Sequence, residues 1–114
     1  MSNCIFCQII AGNVPGEKVF ENERLVAIRD LHAQAQAHLL IIPRRHIPTL
    51  NDLQPEDAAL IGEMMLVATQ LAAQENLAAR GYRLVFNCNH DGGQSIYHIH
   101  LHLLGGRYMK WPPG

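Results

Sequence analysis

This 114-residue chain has no basic excess. Nine Lys and Arg stand against ten Asp and Glu, for a formal net charge of −1. A general nucleic-acid-binding surface shows a basic stripe, but here Arg44-Arg45 is the only adjacent basic pair, so no nucleic-acid partner is expected. Long apolar runs are missing as well. None approaches the length that spans a bilayer, so no membrane helix is expected. The opening "MSNCIFCQII" lacks a charged segment followed by a long apolar stretch and does not read as a secretory signal. A paired cysteine set is also absent: the chain has three cysteines, an odd number that points to reduced thiols. These absences together predict a cytoplasmic protein. There is no internal repeat, and the most biased segment is the five residues "AQAQA" (33–37). With 48% hydrophobic and 17% charged residues, disorder is excluded. The length predicts one domain over 1–114, small enough that a dimer or a metal would add useful stability.

The pattern predicts an α+β fold. "CIFCQIIAG" (4–12) reads as a short helix stopped at Gly12. Residues 17–30 read as strand, polar turn at Glu21-Asn22-Glu23, and strand. The run Leu39 to Ile42, stopped by Pro43, fits a strand buried on both faces. "PEDAALIGEMMLVATQLAAQENLAARG" (55–81) predicts one long helix. Pro55 suits its first position, Glu56 and Asp57 its positive end, and Gly81 its stop. Leu60, Met64, Val67 and Leu71 recur at helical spacing and predict its core face. Residues 82–87 and 96–104 read as two further strands. Short strand connections favour an antiparallel sheet of about five strands, with the long helix on one face.

"SIYHIHLHLLGG" (95–106) carries the chemistry. Side chains alternate along a strand, so His98, His100 and His102 share one face while Ile99, Leu101 and Leu103 share the other. Three readings stay open: an exposed polar face, a metal site, or nucleophilic catalysis by one imidazole. The preceding "NHDGGQS" (89–95) is a glycine-rich loop whose backbone can approach an anion. Beside three histidines it suggests a phosphate held over an imidazole. Cys4-x-x-Cys7 has the spacing of a zinc half-site, which equally suits a redox or buried pair.

"YHIHLHLLGGR" resembles the His-φ-His-φ-His-φ-φ signature of the histidine triad family, φ being apolar. The likeness to its Hint branch of purine nucleoside phosphoramidases extends through "CIFCQII", "IRDLHAQAQAHLLIIPRRHI", "GYRLVFN" and the tail "GGRYMKWPPG". It implies a histidine triad fold that dimerises into a continuous sheet. It also implies a hydrolase that cleaves the P–N bond of an adenosine 5′-phosphoramidate, with AMP as product and no cofactor in the chemistry. His100 would be the nucleophile and His102 a phosphate contact, with His38 a pocket histidine beside them. Asn87, Gly93, Gln94 and Ser95 would donate to the phosphate region, Asp30 would bind the ribose, and Ile28 and Leu31 would wall the nucleoside. Cys4, Cys7, His46 and His98 would hold a structural zinc. Trp111 would lie at or near the interface of a homodimer. The alternatives are a purine nucleotide-binding adaptor with vestigial turnover, a dinucleoside polyphosphate hydrolase, and a zinc hydrolase with all three histidines on one metal.

Overall fold

The computed structural model describes residues 3–114; Met1 and Ser2, included in the single-domain expectation, lie outside the described residues. Helix α1 (Ile5–Ile10) leads into strands β1 (Lys18–Glu21), β2 (Leu25–Arg29) and β3 (Ala37–Pro43). Two 3₁₀ turns precede helix α2 (Ala58–Gln74), and strands β4 (Tyr82–Val85) and β5 (Leu101–Gly105) follow it. The five strands form one sheet in the order β1-β2-β3-β5-β4, and every neighbouring pair is antiparallel. The expected α+β architecture is therefore present.

Strand alternation divides the sheet into two working faces. Leu25, Ala27, Leu39, Ile41, Leu101 and Leu103 pack against Leu60, Met64, Val67 and Leu71 of α2. Val26, Ile28, Leu40 and Ile42 face the other way and pack against Phe6 and Ile9 of α1. All seven residues of β3 are buried, as a central strand covered on both faces requires. Each aliphatic side chain taken fully out of water contributes roughly 1.5–3 kcal/mol. Truncating a central one such as Leu103, which is fully buried, costs about 2–5 kcal/mol.

Several boundaries differ from expectation; β4, for one, ends at Val85 rather than at residue 87. The long helix begins with a 3₁₀ turn at Pro55–Asp57 and ends at Gln74, well before Gly81. Asn76 adopts a left-handed φ of 62°, and Leu77 N–H donates back to Ala72 O at 2.8 Å. Asparagine, the second choice after glycine for this ending, terminates the helix here. The histidine strand starts at Leu101 rather than at residue 96, because its partners run out. Leu101 opposes Ile41 near the end of β3, and His102 opposes Val85, the last residue of β4. The alternation nevertheless continues upstream: Ile99 joins the α2-side core, while its N–H donates to Ile47 O at 2.8 Å. Among the described residues, no helix is long and apolar enough to cross a membrane.

Candidate functional site

His98 is fully buried and His100 nearly so, while His102 is half-buried. Beyond the end of the strand ladder, their ring nitrogens take backbone partners. Those partners decide which nitrogen carries the proton.

His98 Nε2 lies 2.7 Å from Pro43 O. A carbonyl only accepts, so Nε2 is the N–H and Nδ1 presents its lone pair. That Nδ1 lies 3.3 Å from Cys4 Sγ, 3.5 Å from Cys7 Sγ and 3.1 Å from His46 Nδ1. Cys7 Sγ lies 3.3 Å from His46 Nδ1. Tetrahedral zinc separates two nitrogen ligands by about 3.3 Å, and a nitrogen from a sulfur by about 3.6 Å. The four donors therefore fit a closed Cys₂His₂ metal site, and they converge into one group with metal-binding spacing. Local structure builds it. Cys4 caps α1, its sulfur accepting the Cys7 N–H at 3.4 Å, so one short helix delivers both thiols.

His100 uses the opposite nitrogen. Its Nδ1 lies 2.8 Å from His98 O, so Nδ1 is the N–H and Nε2 is left with a bare lone pair. Phe6 stacks edge-on against the ring at 4.9 Å, fixing its rotamer. Beside it, His38 and His102 rise from β3 and β5 on the same face of the sheet. Gln34 N–H donates to His38 Nδ1 at 3.0 Å, which places the His38 proton on Nε2. That Nε2 lies 2.9 Å from His102 Nδ1 and 3.4 Å from Asp30 Oδ2. His102 Nδ1 accepts, so His102 Nε2 carries its proton.

Burial holds these rings below the ordinary imidazole value. It is the main cause for His38, where the Asp30 carboxylate opposes it, and for His98 and His100. His102 is brought down to about 4, by burial first and then by neighbouring His100 and His38. Neutral rings near pH 7 follow, as both a nucleophile and a neutral donor require.

His100 and His102 open onto a cleft of about 380 Å³ whose walls include Ile28, Asp30, Leu31, Ser95 and the α1 residues Phe6 and Ile9. Ile28, Asp30, Leu31, Ser95, His100 and His102 line this one cleft, and His38 touches His102 beside it. Asn87 is half-buried, outside the cleft lining. Gly93 and Gln94 are placed differently from expectation. Both N–H groups donate within the loop, to His90 O and Asn89 O at 3.0 Å each. The buried Gln94 side chain accepts from Asn89 N–H and donates to Pro48 O and Ile96 O. Gln94 therefore braces the loop and does not line the cleft. The glycines are required sterically: a Cβ on Gly92 would meet Cys88 O at 2.5 Å, and Gly93 has φ +78°. Sequence reasoning missed Phe6 and Ile9 as cleft walls. The signal was their spacing of three on a short apolar helix.

The reading with all three histidines on one metal does not match the geometry. Among the described residues, the groups with metal-binding spacing are Cys4-Cys7-His46-His98 and Asp30-His38-His102, and His100 belongs to neither. Trp111 is 81% exposed on this single chain.

Residues 3–111 match the family described as "Scavenger mRNA decapping enzyme C-term binding". The chain is 48% identical over 103 residues to a protein of Escherichia coli (strain K12) named "Purine nucleoside phosphoramidase". That match covers 90% of this chain and 87% of the relative. The structure resembles that of a HIT family hydrolase from Legionella pneumophila Philadelphia 1, with TM-score 0.96 and 54% identity over 98% of this chain and 100% of that one. A histidine triad protein from Clostridium difficile gives TM-score 0.93 and 33% identity over 96% of each chain.

Proposed function

The chain belongs to the histidine triad family, and from that premise we propose that it hydrolyses purine nucleoside 5′-phosphoramidates. The carrying observation is the tautomer of His100. With Nδ1–H held by His98 O at 2.8 Å, Nε2 is a bare lone pair on a ring that lines the cleft. A neutral imidazole is a competent nucleophile near pH 7. Its Nε2 attacks the phosphorus, the P–N bond to the amine breaks, and the departing amine takes up a proton. The nucleotidyl-histidine is itself a P–N species, so neither step is far uphill. Water then attacks phosphorus, the bond to His100 breaks, and a nucleoside monophosphate such as AMP leaves. His102 Nε2–H donates to a phosphoryl oxygen as charge builds on it, and the exposed Ser95 hydroxyl adds a second donor. Asp30 Oδ1 already accepts the His32 N–H at 2.8 Å, which fixes the carboxylate at the cleft wall, where ribose hydroxyls can donate to it. Ile28 and Leu31 offer apolar contact to the base.

The metal in this reading is structural zinc on Cys4, Cys7, His46 and His98. It ties α1 to the sheet and adds folding free energy. A homodimer is supported by β4, an edge strand with half-buried side chains, and by the exposed Trp111, which a partner surface would cover. Sedimentation at micromolar concentration gives twice the 12.7 kDa chain mass if this holds and the single mass if it does not. The cytoplasm suits three cysteines that form no disulfide among the described residues.

The test of function is release of AMP from adenosine 5′-phosphoramidate, run against a dinucleoside polyphosphate. Faster turnover of the phosphoramidate supports the proposal. Nucleotide binding without turnover of either compound makes the protein an adaptor, and preference for the polyphosphate reassigns the substrate.

A further inference from the structure

The bonds around residue 34 reach from the chain's tail to the cleft. Arg107 follows β5, the strand that carries His102. Between them Gly106 turns the chain with φ +96°, and a Cβ there would lie 2.6 Å from Gln36 Cβ. The tail is thus pressed onto the loop that precedes β3. There, Arg107 Nε and Nη2 both donate to Gln34 O, at 3.1 and 3.0 Å. The Gln34 side-chain amide donates to His32 O at 2.9 Å, so the residue is gripped from two sides. Its backbone N–H is the donor that reaches His38 Nδ1.

We propose that Arg107 is a positioning residue: by clamping Gln34 it fixes the tautomer of His38 and, through it, that of His102. The alternative state is one proton shift away, opposed by Asp30 Oδ2, which lies 3.4 Å from His38 Nε2 and favours a proton there. If Gln34 N–H withdraws, the His38 proton can sit on Nδ1 and leave Nε2 bare. His102 Nδ1, 2.9 Å away, must then donate, and its proton leaves Nε2. The cleft would exchange a donor for an acceptor at the place where phosphoryl charge develops. Two charge-assisted donors on one carbonyl are a geometric clamp that a lysine reproduces only in part. Arg107 itself is exposed and does not line the cleft with His100 and His102, so its influence passes through Gln34.

The kinetic consequence rests on the proposed function, whereas the tautomer consequence does not. The experiment reads both, on full-length protein with its metal site loaded. Long-range ¹H–¹⁵N spectra of ¹⁵N-histidine protein report which nitrogen of each ring is protonated. In the parent, His102 shows the Nε2–H form. In Arg107→Ala the Nδ1–H form gains population, kcat falls about tenfold, roughly the value of one charged hydrogen bond, and KM stays within about twofold. Arg107→Lys, which keeps a donor, falls between. A parent-like histidine pattern in Arg107→Ala overturns the proposal, even if kcat falls, because the loss would then be merely structural. An Nδ1–H form of His102 in the parent also overturns it. If the parent turns over no phosphoramidate, the functional reading fails and the tautomer comparison still decides this one.

Discussion

His98 and His100 are two residues apart, yet they face two different groups of side chains. At the Cys4-Cys7-His46-His98 cluster, a backbone carbonyl takes Nε2 and leaves Nδ1 facing two sulfurs and another ring nitrogen. At the cleft, a backbone carbonyl takes Nδ1 of His100 and leaves Nε2 bare. Alternation puts both rings on one face, and the choice of ring nitrogen turns them to different partners. The sequence of the segment does not encode that choice. It comes from Pro43 O and His98 O, which lie where they do because the ladder stops at Leu101.

The proposed division predicts that damage at one centre spares the other. The largest effect is expected at the proposed nucleophile: His100→Ala lowers kcat/KM for the phosphoramidate on the order of 10⁴-fold, with metal content, read by metal analysis, the same as in the parent. His102→Asn costs about 10²-fold in kcat, read in the same assay, and again leaves the metal in place. Cys7→Ala inverts the pattern. It empties the metal site and lowers Tm by about 10 °C or more, while kcat at a temperature where the fold survives stays within a few-fold. A Cys7→Ala loss of activity matching that of His100→Ala, in folded protein, would break the comparison.

The smallest effect is in pH dependence. His102 titrates at about 4 in the fold and near 6.5 when unfolded. Between those values the unfolded chain binds more protons, so stability rises with pH. The contribution is complete above about pH 6.5 and is lost as pH falls toward 4. Urea midpoints at pH 7 and pH 5 read it. The two proteins share every other titratable group, so the difference between parent and His102→Asn isolates the ring. The parent should lose more.

Much of the fold is legible in the amino-acid sequence. The apolar run at 39–42, the stripe on the long helix and the alternation around the histidines each carry a period set by local geometry. Those periods point to the sheet, the core face and the shared histidine face. The end of α2 is harder to read, because Gly81 is the stronger stop signal and Asn76 the operative one. The bracing role of Gln94 is hidden, because a glycine-rich loop says nothing about where its own polar groups point. Buried Gln94 satisfies Pro48 O and Ile96 O, partners 46 and two residues away. Phe6, Ile9, Gln34 and Arg107 acquire their roles through tertiary contacts, which no local period carries.

The most direct test of the division is to trap the covalent intermediate. Zinc-loaded protein is mixed with adenosine phosphoramidate, quenched in alkali and mapped by peptide mass spectrometry. One nucleotidyl group on His100, with His98 and His102 unmodified, is the predicted result. An adduct on His98 or His102 in its place would contradict the account.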